Sequence, residues 1–291
     1  IRDREGSGQN IALNGMILIS QALDYAGSTS VHHNIPSYIT YLPSMAATAW
    51  YHKKAGEGKT LEDFVEECRK FTYETYTPAL YKGNLLSDTE KEAIAAKLSY
   101  FTGLETQYIL NSNLRILMGR FQKKLLEKDG LAIGRLDGRF MGNEIDKVAE
   151  KPHLGDAASY QISSAYTASI NHYFSSELGI KMNRPYITSG GGSSWRWRTV
   201  PDSQYWEPMP VNTAPHLGET MRRNPAMKVM VASGYYDLIT PFFDAEFTFA
   251  RNGIDTSRVE MMYYEAGHMM YTHEPDLVKL SKDIRAFLTK E

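Results

Sequence analysis

The sequence predicts an α/β protein, with a parallel sheet built from the two ends of the chain and a mostly helical segment between them. Two observations predict this class. In the C-terminal third, short apolar runs alternate with amphipathic stretches, and strands separated by helices of about ten to fifteen residues pair in parallel. Near the other end, I-A-L-N-G-M-I-L-I at residues 11 to 19 reads as a further buried strand.

Composition limits the functions to be considered. The chain has 291 residues, of which 42% are hydrophobic, so it can bury the core of one large domain or of one domain with a big insertion. A net charge of -2 predicts neither a nucleic-acid surface nor an electrostatic membrane anchor. No apolar run approaches the roughly 20 residues that span a bilayer. Cys68 is alone, which excludes an internal disulfide framework and a cysteine-based metal site.

The first strand is followed by a loop and then by helices. Residues 20 to 36 have the composition of a loop. Helical spacing, a capping box of Ser87 with Glu90, and stop signals at Gly130 and Gly179 then mark separate helices. The expected helices cover residues 61 to 71, 87 to 101, 105 to 129 and 158 to 178.

The C-terminal third begins after a connection rich in Gly, Ser and Pro at residues 185 to 215. Beyond it, we expect strands at 228 to 233 and 258 to 264, with helices before, between and after them. Those helices cover residues 215 to 223, 242 to 253 and 274 to 288. The chain therefore divides into a core strand within 1 to 28, a helical insertion over 29 to 205 and a second core segment over 206 to 291.

Two of the predicted strands end on an ionisable side chain. V-M-V-A-S-G-Y-Y-D-L-I-T-P leads to Asp237, and Y-Y-E-A-G-H-M-M-Y contains His268. Functional side chains of open α/β sheets gather at the carboxyl ends of the strands. A carboxylate there can orient an imidazole that acts as a general base. Taken singly, Asp237 also fits a turn or helix-capping role, and His268 fits an ordinary satisfied polar side chain.

The same two motifs resemble the acid and base motifs of the serine carboxypeptidase family, particularly a bacterial branch of it. The chain order of acid before base is that of α/β-hydrolases, in which a serine on a G-x-S-x-G elbow comes first. The resemblance extends to L-N-G-M-I-L-I-S-Q-A-L-D-Y, I-G-R-L-D-G-R-F, D-A-A-S-Y-Q-I-S-S-A-Y-T and S-S-W-R-W. It therefore covers essentially all of residues 11 to 290.

The resemblance implies an α/β-hydrolase core with a large helical cap, and hydrolysis of peptides from their C-terminus without a metal or an organic cofactor. It assigns Asp237 as the triad acid and His268 as the triad base. It assigns Met269 to the pocket for the leaving amino acid. The family's G-E-S-Y-G elbow has no counterpart in this sequence, because Ser7 has Glu5 and Gln9 at the two glycine positions, and Ser193 has Gly191 but Trp195.

We therefore expect the nucleophilic serine on an N-terminal segment of the same gene product, upstream of Ile1. We also expect this segment to stay associated with the chain, because an uncovered sheet edge is prone to aggregation. The sequence does not fix the compartment, although the resemblance favours export to the periplasm or secretion. Two alternatives stay open. One is another α/β-hydrolase, such as an esterase, an acyltransferase or an aminopeptidase. The other is a non-catalytic binding homologue that kept the acid and the base.

Other residues suggest weaker sites. His32 and His33 are adjacent and so point in different directions, which argues against a metal site. Trp195, Trp197 and Trp206 either line a substrate cleft or pin the cap to the core. Arg196 or Arg198 would meet a peptide carboxylate in the first case. These last five residues all belong to the connection at 185 to 215.

Overall fold

A computed structural model gives the fold and describes residues 13 to 184, 186 to 188 and 211 to 290. This part of the chain is a mixed α/β structure with a small parallel sheet, which confirms the predicted class at that level. The serines at 7 and 193, and the tryptophans and arginines proposed for a cleft at 195 to 198 and 206, lie outside the described residues. No helix in the described ranges is both long and apolar enough to cross a membrane.

The elements follow one another in an order close to the predicted one. The strands are β1 Gly15–Ile19, β2 Leu131–Ile133, β3 Met141–Asn143, β4 Lys228–Gly234 and β5 Val259–Tyr264. The α-helices are α1 Tyr25–Ser28, α2 Ile35–Tyr51, α3 Leu61–Phe71, α4 Thr77–Lys82, α5 Asp88–Thr102, α6 Thr106–Asn111, α7 Met118–Lys124, α8 Ala157–His172, α9 Ala214–Arg223, α10 Phe242–Arg251 and α11 Glu274–Thr289. A π-helical turn, Tyr173–Glu177, extends α8.

The parallel sheet joins the two ends of the chain in the order β1-β4-β5. The central strand β4 pairs with β1 up to Ile19↔Ala232 and with β5 up to Gly234↔Tyr264. Alternate side chains of a strand face opposite layers. Val229 and Val231 pack with α9 and α10 on one side, and Met230 and Ala232 pack with α11 on the other. The segments that follow the three strands therefore emerge at one edge of the sheet.

The expected insertion is mainly helical where the structure describes it, apart from the antiparallel pair β2–β3. Its centre is α2, in which every residue from Ser37 to Ala49 is buried. The helix packs against α3, α5 and α10. No pattern in the sequence predicts α2, because a helix buried on all sides shows no amphipathic stripe.

The single helix predicted over residues 105 to 129 is wrong. The chain forms the two short helices α6 and α7, separated by a turn in which Asn113 and Leu114 have φ of 52° and 61°. Asn and Ser side chains compete for backbone hydrogen bonds and favour turns, and N-S-N occupies 111 to 113. The turn also buries Leu114, whose carbonyl oxygen accepts a hydrogen bond from the Tyr76 hydroxyl at 2.6 Å.

The predicted helix start at Ser87 is confirmed, and the two predicted stop glycines lie just after the 3₁₀ turn Glu127–Asp129 and the π-helical turn Tyr173–Glu177. The Ser87 hydroxyl accepts a hydrogen bond from the Glu90 amide, and the Glu90 carboxylate accepts one from the Ser87 amide at 2.8 Å, so the capping box forms. Gly130 and Gly179 adopt left-handed backbone conformations, with φ of 73° and 61°. Glycine adopts that conformation without the steric cost of a side chain.

Candidate active site

Asp237 lies in the loop between β4 and α10, and its carboxylate is fully buried. Oδ1 accepts hydrogen bonds from the Ile239 amide at 2.7 Å and the Thr240 amide at 3.0 Å. Oδ2 accepts one from the Thr240 hydroxyl at 2.9 Å. These N–H and O–H donors satisfy the oxygens of the buried carboxylate. The loop therefore holds the carboxylate in a fixed position without exposing it to water.

His268 follows β5 and brings its ring to this carboxylate. Nδ1 lies 2.9 Å from Asp237 Oδ2 and 3.2 Å from Thr240 Oγ1. Because Asp237 Oδ2 is an acceptor, Nδ1 carries the proton and donates it, which leaves Nε2 as the basic nitrogen. Nε2 has no hydrogen-bond partner among the described residues. The pair occupies neighbouring parallel strand ends, so the structure brings Asp237 and His268 together as the sequence predicts.

The environment of His268 acts on its pKa in opposing directions. Burial of the imidazole lowers its pKa, whereas the hydrogen bond to Asp237 and the negative charge of that carboxylate raise it. The positive charge of Arg135 acts in the same direction as burial. The effect of Asp237 prevails, and the pKa of His268 lies above its ordinary value. A ring of raised pKa is a stronger proton acceptor once it is neutral.

A segment at residues 134 to 139, which we call the bracing segment, fixes both loops from the side. Its Leu136 carbonyl accepts a hydrogen bond from the His268 amide at 2.6 Å. Its Asp137 carboxylate accepts one from the Gly267 amide at 3.1 Å, and Arg139 binds Asp137 through Nε and Nη2. On the acid side, the Leu238 amide donates to the Arg135 carbonyl at 3.1 Å.

Two glycines permit this close approach. A Cβ atom on Gly234 would lie 2.3 Å from the carbonyl oxygens of Ala266 and Gly267. A Cβ atom on Gly267 would lie 2.4 Å from Asp137 Cβ and from the Leu136 carbonyl oxygen. Both distances are far inside van der Waals contact, so only glycine fits either position without displacing backbone.

A cavity of about 530 Å³ opens beside His268, within the range typical of small-ligand sites. Its lining includes Ser20, Tyr41, Met118, Arg135, Thr240 and His268. No sequence motif assigns a role to the first five of these residues. The segment at residues 133 to 140, I-G-R-L-D-G-R-F, contains two Gly and two Arg residues, which could have marked it as functional. Nothing in their spacing indicates contact with the acid and base loops.

Ser20 is a hydroxyl in this cavity, at the carboxyl end of β1. It has a φ of 49°, which is unusual for a residue other than glycine. Its Oγ donates to the carbonyl oxygen of His268 at 2.6 Å rather than to Nε2. Among the described residues, no hydroxyl is hydrogen-bonded to the basic nitrogen, so the acid and base are assembled here without a third member.

Met269 is half-buried and directly follows His268, at the start of the short 3₁₀ turn Met270–Thr272. It does not belong to the lining of the 530 Å³ cavity, and its assignment to the leaving-group pocket stays a prediction.

His32 and His33 have ring centroids 6.1 Å apart. Within the described ranges, no group of three or more His, Cys, Asp or Glu side chains is placed to hold a metal ion.

Comparisons with protein-family models, with curated proteins and with solved structures give no match to this chain.

Proposed function

We propose that this chain supplies the acid and the base of a serine-type carboxypeptidase with an α/β-hydrolase core. The observation that carries the proposal is the 2.9 Å contact between Asp237 Oδ2 and His268 Nδ1, at the ends of adjacent parallel strands and beside a cavity. The basic nitrogen Nε2 is then available to a hydroxyl nucleophile. This is the geometry that acyl-transfer chemistry requires of its acid and base.

In the proposed reaction, a serine hydroxyl attacks the carbonyl carbon of the last peptide bond while His268 Nε2 takes its proton. The imidazolium then gives that proton to the leaving amine, and an acyl-enzyme remains. Water then attacks the acyl carbon while His268 Nε2 takes its proton, and the imidazolium returns that proton to the serine oxygen as the ester bond breaks and the shortened peptide leaves. Asp237 holds the Nδ1 tautomer and stabilises the imidazolium through both half-reactions.

The serine is proposed to come from an N-terminal segment of the same gene product. A supporting observation is the edge of β1 opposite to β4, with which no strand pairs among the described residues. A parallel strand added there would end at the same edge of the sheet as β1, β4 and β5. A nucleophile in the turn after that strand would thus emerge close to His268.

The test compares the chain of 291 residues with the same chain expressed together with the residues encoded upstream. Each sample is treated with a fluorophosphonate and assayed for release of the C-terminal amino acid from a blocked dipeptide. We expect labelling of an upstream serine, and hydrolysis, only in the second sample. Among the described residues no hydroxyl is bound to His268 Nε2, and the oxyanion donors are proposed to lie on the upstream segment, so the rate of the 291-residue chain should be lower by several orders of magnitude.

Each other outcome has a distinct meaning. Labelling of Ser20, or of another serine within the 291 residues, would contradict the proposed position of the nucleophile. Labelling together with hydrolysis of esters but not of peptides would indicate a different α/β-hydrolase. Neither labelling nor hydrolysis in the longer protein would indicate a non-catalytic homologue.

A further inference from the structure

Arg135 is a cation in the wall of the cavity beside His268, and it has no counter-ion there. The residue is exposed and lines the cavity. No carboxylate of the described residues lies within salt-bridge distance of its guanidinium group. The remaining lining side chains are hydroxyls, apolar groups and the imidazole of His268, so Arg135 gives the cavity its permanent charge.

The neighbouring arginine of the bracing segment differs in this respect. The Arg139 guanidinium donates three hydrogen bonds to the Asp137 carboxylate. Its Nη1 donates another to the Glu265 carbonyl oxygen at 2.7 Å. The charge of Arg139 is therefore neutralised, and the N–H donors of its guanidinium group are occupied. The donors of Arg135 are available to a ligand, and an unpaired guanidinium is a ready partner for a carboxylate because it matches the two oxygens in one plane.

The acid nearest to Arg135 in the hydrogen-bond network is Asp156, and it is fully occupied by other donors. Oδ1 accepts from the amides of Arg135 and Ala158, at 2.6 and 3.1 Å. Oδ2 accepts from the Leu136 amide at 3.1 Å and the Ser159 hydroxyl at 2.7 Å. Asp156 thus fixes the backbone of Arg135 and caps α8 while leaving the guanidinium without a partner.

The position of Arg135 is tied to that of the base. Residues 135 and 136 accept hydrogen bonds from the Leu238 and His268 amides, which belong to the acid loop and the base loop. The charge of Arg135 also acts inside the cavity. It opposes burial, which raises the pKa of Tyr41, and it adds to burial in lowering the pKa of His268. An anion held by Arg135 therefore lies within electrostatic range of the base.

We propose that Arg135 binds the terminal carboxylate of the peptide and so selects substrates with a free C-terminus. This inference rests on the proposed function. One residue spans only about 3.5 Å along an extended chain, so a carboxylate held at the cavity wall keeps the preceding peptide bond close to His268. The enzyme would then remove single residues, because a longer leaving group could not place its carboxylate at the same anchor.

Direct binding tests the anchor independently of turnover. The probe is an N-acetylated dipeptide in which a trans-alkene replaces the last amide, prepared as the free acid and as the primary amide. Calorimetry would measure both with the protein carrying its upstream segment, and with the variants Arg135→Gln and Arg285→Gln. Arg285 is the control because it is an exposed arginine on α11, outside the cavity lining.

We expect the unaltered protein and Arg285→Gln to bind the acid more tightly than the amide. In Arg135→Gln the affinity for the acid should fall by about 10- to 100-fold, the usual range for a charge-assisted contact, while the affinity for the amide stays the same. Arg135→Lys retains the positive charge, so it should keep part of the preference for the acid. It therefore distinguishes an affinity lost with the charge from an affinity lost because the variant misfolds. Equal changes for acid and amide would overturn the proposal.

The two proposals fail in different ways. If the carboxypeptidase proposal is wrong but the anchor is right, the acid is preferred and no peptide is hydrolysed. If the anchor is wrong but the activity is right, peptides are hydrolysed and Arg135→Gln leaves the preference for the acid intact.

Discussion

At the scale of single residues, the upward shift in the pKa of His268 depends on one neighbour. Burial and Arg135 both lower the pKa of the imidazole, and only Asp237 raises it. In Asp237→Asn the hydrogen bond and the negative charge are lost while the other two effects remain. We expect the pKa of His268 to move from above its ordinary value to below it, as measured by NMR titration of the histidine ring protons.

His273 provides the matched control for this measurement. It also pairs with a carboxylate, that of Asp276 three residues away, and it lies at the start of α11, outside the cavity lining. At a fixed pH, Asp237→Asn should leave the chemical shifts of the His273 ring protons unchanged. A His268 pKa that is unaffected by the substitution would show that the hydrogen bond does not exist in solution.

The raised pKa of His268 has a defined consequence for stability. A group whose pKa is higher in the folded state than in the unfolded state stabilises the fold most at low pH. Its contribution is fully present below the unfolded value of about 6.5 and is lost as the pH rises through the folded value. Denaturant titrations should therefore show that Asp237→Asn costs more free energy of unfolding at pH 5 than at pH 9.

The same shift determines the acid limb of the pH–rate profile. General-base catalysis requires neutral imidazole, so the activity of the protein with its nucleophile should rise with pH through the raised pKa of His268. The midpoint of kcat/KM should lie above the ordinary value of about 6.5. Asp237→Asn should lower kcat by about 10⁴-fold, since the tautomer is no longer enforced. A midpoint below 6 would contradict the role of His268.

The residues of the candidate site differ in how far the sequence could predict them. Asp237 and His268 were predictable because each ends an apolar run, and a local pattern is enough to identify a strand end. Asp137 and Arg135 contact those loops from more than 100 positions away in the chain, and no local pattern encodes such a contact. Thr240 is local to Asp237, but a Thr in a turn is too common to indicate a role.

At the scale of elements, the contact between the base loop and the bracing segment depends on the absence of a side chain at Gly267. A Cβ atom there would overlap with Asp137 and Leu136, so Gly267→Ala must push the two segments apart. We expect a loss of about 1 to 3 kcal/mol in the free energy of unfolding, as for other overpacked sites. The displacement should also weaken the hydrogen bond from the His268 amide to Leu136.

Gly119→Ala is the matched control for that substitution. Gly119 lies in α7, and a Cβ atom there would meet only Lys151 Cγ, at 3.6 Å. Alanine in a helix is preferred to glycine by up to about 1 kcal/mol, so this variant should be neutral or more stable. If chemical denaturation shows equal stability for both variants, the close packing at Gly267 is not present in solution.

The elements were predictable where a local sequence pattern identifies them. β4 contains the uninterrupted apolar run V-M-V-A, as expected for a strand covered on both faces, and α3 carries a clear apolar stripe. The failures have physical causes too. α2 is buried all round, and the break between α6 and α7 depends on tertiary contacts of Leu114, which override helical periodicity.

At the scale of the whole molecule, the apolar side chains of two elements, β1 and α8, are not fully covered by other described residues. β1 is the apolar run G-M-I-L-I, yet Ile19 is 38% exposed and no described strand pairs with the edge opposite to β4. In α8 only Ala157 and Ala158 are buried, while Tyr166 is 53% exposed. A helix without a packed face is marginal in water, and an open apolar edge promotes aggregation.

The proposed N-terminal segment would cover the edge of β1, and hydrogen exchange tests this directly. Backbone amides of Gly15–Ile19 that do not donate to β4 point away from the sheet, so in the 291-residue chain they should exchange quickly. When the upstream segment is present, a parallel strand accepts their hydrogen bonds and should slow exchange by several orders of magnitude. Amides of β4 already lie between two strands and should change little. Rapid exchange of the β1 amides in both samples would mean that no strand pairs there, and the nucleophile would then have to reach His268 from another direction.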